Sequence, residues 1–526
     1  MTPFTRAPLR AIGVLLPMVA LLSAVSVAQV ANWPSEPPPR PLPARDVNFP
    51  PYEIRTLPNG LQVVVVLHHE QPVVSIRMLV RAGSSLDPRG KNGVAALAAA
   101  LLDQGTKTRS SAQIADTIDS IGGGLGAGAG SDVTFASVVV MKDSFGLGLD
   151  LLSDIVRNPA FHEDELERQR QQAMSGLKVG YEDPDLVAGL VFDRLVYGFH
   201  PYGLPNSGTP DSIQTIKSAD LHAFHRQYFA PNNAILAIVG DVTAPEAFSG
   251  AERAFGAWSR EEIAPVAVPD PPPPTRRLVI VNKPDAVQTE IRVGHLAIPR
   301  KHPDFMAMDL AVKILGGEGS NRLQRVLRSE RGLTYGASAD IQALKRTGDI
   351  AAETDTRSEA TIEALRVIVD EFSRLQRERV SERELDDAQA YLAGSFPLTI
   401  ETPDAIAAQV LNALFYELPL SDLETYRERV NAVTPDDIQR VARQYFKPDR
   451  LSVVLVGNAG TFASKLKGVG FDEHEQVELA DLDLTAVDFR RSAQAPAVAP
   501  ARRPQLFPLA DIDTDRAPFG RTLAPQ

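Results

Sequence analysis

The sequence predicts an α+β fold made of two homologous units, each a mainly antiparallel sheet with helices packed on one face. Three observations indicate this fold: an internal repeat, a strong hairpin signal and a proline-rich linker. The repeat consists of "IKSADLHAFHRQYFAPNNAILAIVGDV" and "VTPDDIQRVARQYFKPDRLSVVLVGNA", which share Arg-Gln-Tyr-Phe-x-Pro, an apolar strand and Val-Gly. The equivalent residues lie 217 positions apart without a gap: Arg226 and Arg443, Pro231 and Pro448, Gly240 and Gly457.

Local signals define the elements of the first unit in order. Asn59-Gly60 lies between apolar runs in "LPNGLQVVVVL", which is a strong hairpin signal. The segment "SAQIADTIDSIG" predicts a helix with Ser111 as its cap, and "DSFGLGLDLLSDIVRNP" predicts another that ends at Asn158-Pro159. Each unit is expected to run from strands through long helices to a helix that leads into a final strand.

Proline-rich stretches divide the chain into regions. Residues 29–46 are predicted to be extended, and the first unit follows over residues 47–263. Residues 264–277, "APVAVPDPPPPTRR", are a semi-rigid polyproline linker to the second unit, residues 278–482. The remaining residues, 483–526, become rich in Ala, Pro and Arg and are expected to form a disordered tail.

The first 28 residues have the pattern of a secretory signal peptide. Arg6 and Arg10 precede an apolar run that is interrupted by Pro17 and ends in the small-x-small triplet Ser26-Val27-Ala28. Cleavage after Ala28 would give an exported, periplasmic protein without a membrane span. The alternative is an uncleaved anchor, because a span needs about 20 apolar residues and this run is only slightly shorter.

The composition excludes several classes of function. The net charge of −12 argues against nucleic acid as a partner, because phosphates attract a basic surface. The chain has no cysteine, and so it has no disulfide, no thiolate zinc site and no cysteine nucleophile. Hydrophobic residues make up 44% of the chain, which is enough to bury large cores.

Several motifs in a fixed order make the chain resemble the pitrilysin and insulinase family, the inverzincin metallopeptidases. They include "LPNGLQVVVV", "PVVSIRMLVRAGSSLDPRGKNGVAAL", "NPAFHEDELERQRQQ", "HPYGLPNSGTPDSI" and "YFAPNNAILAIVGDV", and the similarity extends from about Asn48 to Gly457. The chain is most similar to short two-unit members with a linker, such as mitochondrial processing peptidase and its bacterial relatives. The resemblance implies that the two units face each other across a chamber.

The resemblance also places a zinc motif that this chain lacks. In active members, the helix that matches "GVAALAAALLDQGT" carries His-x-x-Glu-His: the two histidines bind zinc, and the glutamate takes a proton from the metal-bound water. Here the histidine positions are Ala96 and Ala100, and the glutamate position is Ala99. A third ligand, a glutamate on a later helix, is replaced by Gly176. No metal ligand is therefore expected in this chain.

Two histidine pairs are the remaining candidates for a metal site. His68 and His69 precede Glu70, but neighbours on a strand point to opposite faces, and exposed positions near a strand end are the favoured interpretation. His222 and His225 lie about one helical turn apart and could share an ion. No carboxylate partner is evident for them, and a surface or packing role is favoured.

The second unit keeps a pair of residues that active family members use to hold the substrate near the metal. In "NRLQRVLRSERGLTYGASADI" these are Arg328, near the end of a helix closed by Gly332, and Tyr335, placed on the strand that follows. Both side chains can donate hydrogen bonds to peptide carbonyl oxygens. The alternative is structural: Arg328 completes a helix C-terminus, and Tyr335 packs in the sheet.

Two glycine-rich stretches remain. Gly316, Gly317 and Gly319 in "LGGEGSNRL" match a loop at the same place in the family, and they either let a peptide approach the backbone or form a turn between two helices. The run "IGGGLGAGAG", residues 121–130, is expected to be floppy and to form a mobile wall of the chamber rather than a substrate clamp.

These features lead to one functional expectation and one alternative. The chain is expected to be a catalytically inactive subunit that binds peptide substrate and complements a homologous partner carrying His-x-x-Glu-His in a heteromeric zinc metalloendopeptidase. The zinc would belong to the partner, and this chain would hold no cofactor and would not be catalytic alone. The alternative is a peptide-binding or scaffold protein of the same fold without a part in proteolysis.

Overall fold

The strands form two six-stranded sheets, one in each half of the chain. The computed structural model describes residues 48–491 except Glu318, Ser320 and Asp472. The predicted signal peptide, the proline-rich segment up to residue 46 and the end of the predicted tail, residues 492–526, lie outside the described residues. The strands are, in order, β1 (Tyr52–Thr56), β2 (Gln62–Leu67), β3 (Val73–Val80), β4 (Gly124–Ala129), β5 (Thr134–Met141) and β6 (Ala234–Gly240), then β7 (Arg277–Asn282), β8 (Gln288–Ala297), β9 (Ala337–Ala343), β10 (Gly348–Arg357), β11 (Ser452–Gly457) and β12 (Glu475–Glu478).

Helices connect and cover these sheets. Those of the first half are α1 (Val94–Ala100), α2 (Ser111–Ser120), α3 (Phe145–Arg157), α4 (Glu163–Gly180), α5 (Pro184–Tyr197), α6 (Pro210–Thr215), α7 (Ser218–Tyr228) and α8 (Ala244–Phe255). Those of the second half are α9 (Phe305–Val312), α10 (Thr361–Arg377), α11 (Glu382–Ser395), α12 (Pro403–Phe415), α13 (Ser421–Glu424), α14 (Tyr426–Asn431), α15 (Pro435–Tyr445) and α16 (Ala459–Phe462). Two π-helical segments, Lys313–Gly317 and Gln324–Glu330, lie between α9 and β9. Among the residues described, no helix combines the length and the apolar character that crossing a membrane requires.

Side-chain caps determine where several helices begin. Ser110, rather than the expected Ser111, caps α2: its hydroxyl accepts from the N–H of Gln113, whose side chain accepts from the N–H of Ser110 at 2.9 Å. Thr434 and Asp437 form the same reciprocal arrangement at the start of α15. Each of these capping boxes satisfies backbone donors that a helix leaves unpaired at its first turn.

The two sheets have matching strand orders except at one edge. The orders are β1-β2-β6-β3-β5-β4 and β12-β7-β11-β8-β10-β9. In both sheets a parallel pair at the equivalent position, β2 with β6 or β7 with β11, is followed by three antiparallel pairs. At the edge, β1 is antiparallel to β2 across the predicted Asn59-Gly60 turn, where Gly60 has φ +91°, whereas β12 is parallel to β7. The predicted α+β class is confirmed, with sheets that are mixed.

One face of each sheet is covered by helices of its own half. In the first half, α3 and α8 pack on β5 and β2, and Leu149 and Phe248 are buried against strand residues such as Ile76. In the second half, α10 packs on β8 and β10, with Phe372 fully buried. Removing such apolar side chains from water contributes about 25 cal/mol per Å² and is the main source of stability.

The second face of each sheet carries a helix from the opposite half. Helix α5 packs on β8 and β11, and its Phe192 joins Val454 in a separate buried cluster. Helix α12 packs on β3 and β6, and Asp404 near its start accepts a hydrogen bond from Ser75 Oγ at 3.0 Å. The sequence predicted helices on one face only; these two helices are an addition that joins the halves.

Two expectations about irregular segments are wrong. The glycine run is not floppy, because residues 124–129 form β4, which pairs with β5 along its whole length. At Gly128 a Cβ atom would lie 2.8 Å from the Phe135 ring, and so the cross-strand aromatic covers the bare backbone. The expected disorder from residue 483 does not hold up to residue 491, because Leu484 and Phe489 are buried and Arg194 Nε donates to the Leu484 carbonyl at 3.0 Å.

Candidate functional site

Helix α1 carries the positions at which the family motif is absent, and its start is firmly held. Asp87 accepts hydrogen bonds from the N–H groups of Gly93 at 2.7 Å and Ala95 at 2.8 Å. Burial raises the pKa of Asp87 to about 7 in spite of these bonds. Gly93 has φ +102°, and a Cβ there would lie 2.6 Å from Ile213 Cδ1, so only glycine fits. These contacts hold the start of α1 in place.

The three motif positions present methyl groups. Ala99 is 0% exposed, and Ala96 and Ala100 are half-buried on one side of α1. Helix α4 packs against α1, and Gly176 on α4 is exposed with no atom within 4 Å of the place where a Cβ would stand. A methyl group can neither bind zinc nor accept a proton. Within residues 48–491, leaving aside the three undescribed positions, no group of three or more His, Asp or Glu side chains is placed to hold a metal.

The histidine pairs contact other side chains of the fold. His225 Nε2 lies 2.8 Å from the Val156 carbonyl oxygen, its ring stacks on Phe229, and burial lowers its pKa to about 4. This agrees with the favoured packing role. His69 Nδ1 lies 2.6 Å from Asp241 Oδ1. The expected exposed position is found for His69, but the expectation is wrong for His68, which is only 9% exposed.

Arg328 and Tyr335 lie together on the surface of the second half. Arg328 belongs to the π-helical segment Gln324–Glu330, and Tyr335 lies in a bend before β9 rather than on the strand. The guanidinium carbon of Arg328 is 4.5 Å from the centroid of the Tyr335 ring, which is a cation–π contact. Tyr335 is 82% exposed and does not pack in the sheet. Within the described part of the chain, neither side chain has an ion pair or a hydrogen bond.

The backbone that carries this pair is ordered by hydrogen bonds. Gly332 has φ +60° and ends the helical segment, and the N–H of Leu333 donates to the Leu327 carbonyl at 2.8 Å. Thr334 Oγ1 donates to the Gly336 carbonyl at 2.8 Å. Arginine and tyrosine are thus presented to solvent on a rigid support. The helix end closed by Gly332 is as predicted.

The three candidate glycines line an open cavity of about 520 Å³ beside this pair. Gly336, the residue after Tyr335, lines the same cavity. A Cβ at Gly316 would lie 2.6 Å from Ala339 Cβ, so this glycine is required for close approach of the helical segment to β9. A Cβ at Gly319, by contrast, would meet no atom of the described residues within 4 Å. Gly316 and Gly317 end a π-helical segment, a rare conformation that is frequent at functional sites.

Carboxylates that the sequence analysis missed also line this cavity. They are Asp185 at the start of α5, Glu290 on β8, and Glu353 and Asp355 on β10. Arg292 pairs with Asp185 at 2.6 Å and with Glu353 at 2.8 Å. Burial and the charge of Asp185 raise the pKa of Glu290 to about 7. The sequence did contain a signal for these carboxylates, because charged residues stand two positions apart in apolar strands. Only the fold, however, brings the carboxylates of the two halves together.

Comparison with known proteins identifies the family. The family model described as "Insulinase (Peptidase family M16)" matches residues 62–200, and the one described as "Peptidase M16 inactive domain" matches residues 215–392. The chain is 23% identical to YmxG of Bacillus subtilis, named as an uncharacterised zinc protease, over 78% of this chain and 99% of that protein.

Solved structures show the same architecture. A peptidase M16 inactive domain from Pseudomonas fluorescens has a TM-score of 0.73 and 29% identity, covering 77% of this chain and 98% of its own. A protease from Helicobacter pylori has a TM-score of 0.73 at 24% identity, covering 77% and 99%. The motifs, the paired sheets and these matches agree, and the chain belongs to the insulinase family, peptidase family M16.

Proposed function

We propose that this chain is a non-catalytic subunit of a heteromeric peptidase, which binds peptide and complements a homologous, zinc-bearing partner. One contrast carries the proposal: the zinc positions of the first half are Ala96, Ala99, Ala100 and Gly176, while Arg328 and Tyr335 of the second half stay exposed. Exposed tyrosine and arginine side chains are enriched at the contacts that carry binding energy. The fold itself gives these two side chains no partner other than each other among the described residues.

Peptide binding would use backbone contacts. The Arg328 guanidinium and the Tyr335 hydroxyl are donors, and peptide carbonyl oxygens are acceptors. The glycine wall at Gly319 leaves room for a peptide backbone to approach. Zinc is expected only in the partner, held by its His-x-x-Glu-His, where it would activate water. Relatives that carry the name zinc protease support a proteolytic setting for this chain.

Reconstitution tests the proposal. The chain is mixed with a homologous chain that has an intact His-x-x-Glu-His, and hydrolysis of a fluorogenic peptide library and zinc content are measured for each chain and for the pair. We expect cleavage and one zinc per pair, and neither with this chain alone. Arg328→Ala should lower kcat/KM about 10- to 100-fold, since a charged hydrogen bond contributes about 1.5–3 kcal/mol.

A matched arginine provides the control. Arg325 lies on the same helical segment, is exposed and pairs with Glu330 at 3.6 Å, and Arg325→Ala should leave turnover unchanged. Unchanged turnover with Arg328→Ala and Tyr335→Phe would remove these residues from substrate binding. A pair without activity would favour the peptide-binding or scaffold alternative, and one equivalent of zinc on this chain alone would contradict both functions.

We also propose that the chain is exported to the periplasm and that residues 1–28 are removed. The support is the sequence pattern of Arg6, Arg10, the apolar run and the small residues that end at Ala28. Amino-terminal sequencing of protein from fractionated cells should give a periplasmic chain that begins at Gln29. A membrane-bound chain that keeps its first residues would favour the anchor.

A further inference from the structure

A second, larger cavity lies between the two halves. It shares no lining residue with the cavity at Gly316, Gly317 and Gly319. Its volume is about 790 Å³, within the range of about 300–1,000 Å³ that holds small ligands or short peptide segments. The end of α4, the residues just after it and α6 contribute the lining from the first half. Residues 282–285 and several residues between 478 and 491 contribute the lining from the second half. Apolar side chains form much of its lining, among them Leu177, Tyr181, Leu479 and Leu482.

The rim of this cavity is predominantly acidic. Five carboxylates and three cationic side chains line it. One of the cations, Lys283, already pairs with Asp285 at 3.1 Å and lies 3.8 Å from Glu182. The excess of carboxylates favours an occupant that combines apolar side chains with positive charge.

The described chain ends in the wall of the same cavity. Arg491 lines it, and its N–H donates to the Asp481 carbonyl at 2.8 Å. The segment before it is anchored by Leu484 and Phe489, which are buried. Arg491, the last described residue, therefore lies in the cavity wall. The sequence of residues 492–526 contains "RRPQLFPLA", in which two arginines precede a cluster of large apolar residues.

We propose that residues 502–509 of the same chain dock in this cavity. Leu506 and Phe507 would pack on the apolar lining, and Arg502 and Arg503 would pair with the acidic rim. The linker from Arg491 is ample: an extended chain advances about 3.3 Å per residue, so its length exceeds the dimensions of the cavity. A short flexible tether also gives an effective concentration in about the millimolar range.

The sequence of the segment lowers the cost of ordering it. Prolines restrict the free chain before docking, and so less conformational entropy is lost; they stand at positions 500, 504 and 508. Because the cavity walls come from both halves, the docked segment would hold the halves together. This inference does not depend on the proposed peptidase role.

Disulfide trapping tests the docking without background, because the chain has no cysteine. Ser175→Cys places a thiol in the cavity wall, and Gln505→Cys places one beside the apolar anchors. We expect an intramolecular disulfide at least about tenfold faster than in the control, Ser120→Cys with Gln505→Cys, because effective concentration sets the rate. Ser120 is exposed at the end of α2 and does not line the cavity.

Hydrogen exchange supplies a second readout that needs no cysteine. In the double variant Leu506→Ala, Phe507→Ala, amides of residues 174–182 and 478–484 should exchange faster than in the unaltered chain, whereas the control Phe519→Ala should have no effect. Equal trapping rates in the two cysteine pairs, together with unchanged exchange, would overturn the proposal. Disulfides that join two molecules instead of one would overturn docking within the same chain.

Discussion

The two halves of the chain have matching strand orders except at one edge, and they differ at the positions that the sequence analysis assigned to metal binding and to substrate contact. In the first half, α1 presents Ala96, Ala99 and Ala100 and is held by Asp87. In the second half, Arg328 and Tyr335 are exposed on an ordered support. Alanine is the best helix former, so alanine at these positions favours α1. The comparison teaches that α1 is held by contacts outside the motif positions, such as those of Asp87.

The repeated glycine at the end of β6 and β11 offers the sharpest test of the equivalence between halves. Gly240 has φ +143°, and a Cβ there would collide with the Val73 carbonyl oxygen. Gly457 does not have a positive φ, and the atom nearest to a Cβ there would be Thr289 Oγ1 at 2.8 Å. Gly240→Ala should destabilise the protein by about 4 kcal/mol, and Gly457→Ala by about 1–2 kcal/mol. Urea unfolding measures both, and equal losses would contradict the difference between the halves.

Placing glutamate at single motif positions tests whether the packed fold still has room for the side chains of the family motif. Ala99→Glu places a carboxylate where the side chain is fully buried, and we expect a loss of about 3 kcal/mol in the free energy of unfolding. Gly176→Glu, with open space around its Cβ, should cost nothing measurable. Thermal and urea unfolding of both variants give the answer. A harmless Ala99→Glu would show that α1 still has room for the motif.

The pH dependence of stability tests the buried carboxyl groups at the contact between α5 of the first half and β10 of the second. The Tyr197 hydroxyl on α5 donates to Asp349 on β10 at 2.5 Å. Burial raises the pKa of Asp349 to about 7, and burial with the charge of Asp349 raises that of Asp193 to about 8. Both groups bind more protons in the folded state than unfolded, so their contribution to stability falls as pH rises from about 4 to 8.

Asp349→Asn keeps an acceptor for Tyr197 and removes one titrating group. The decline in unfolding free energy between pH 5 and 7 should become smaller by about 1 kcal/mol per pH unit. Urea unfolding at several pH values measures this slope. Asp370→Asn, at an exposed position of α10, is the control and should leave the slope unchanged. The same slope in all three proteins would show that Asp349 is not a determinant of the junction.

Helix α4 supplies the smallest effect. Gly176 lies in the interior of this helix, exposed and without a neighbour at its Cβ, and Gly176→Ala should stabilise the protein by about 0.5–1 kcal/mol. At Gly180 a Cβ would lie 2.5 Å from Leu186 Cδ2, so Gly180→Ala should lack this gain. The difference in melting temperature between the two variants measures the effect. A loss at Gly176 would reveal a contact made by the glycine backbone.

The sequence predicted the features that depend on neighbouring residues. The 217-residue offset placed α7 and α15 and the strands that follow them, because each unit encodes its own helix cap, turn and apolar strand. The family resemblance placed Arg328 and Tyr335 in one segment, and the structure brings them into contact. Tyr335 is before the strand rather than on it because the Thr334 hydroxyl bonds to the Gly336 backbone and forms a bend.

Features that depend on distant residues escaped prediction. An apolar helix does not encode which sheet it covers, so the positions of α5 and α12 could not be foreseen. The Phe135 ring from the next strand covers the backbone of β4 at Gly128. The cavity at Gly316, Gly317 and Gly319 is lined by Asp185 from one half and Glu353 from the other. Local propensity carries no information on such pairings.

The positions of α5 and α12 have a consequence for biogenesis. All strands of the first sheet have been synthesised when the chain reaches Gly240, but the second face of that sheet is covered only after α12 has been made. The contact of Ser75 with Asp404 spans 329 residues. Helix α5 likewise packs on β11, which is synthesised much later. Contacts of such long range slow folding and leave apolar faces open while the chain is incomplete. We therefore expect apolar faces of the nascent chain to stay exposed until nearly all of both halves has emerged, and fragments cut between the halves to aggregate rather than fold.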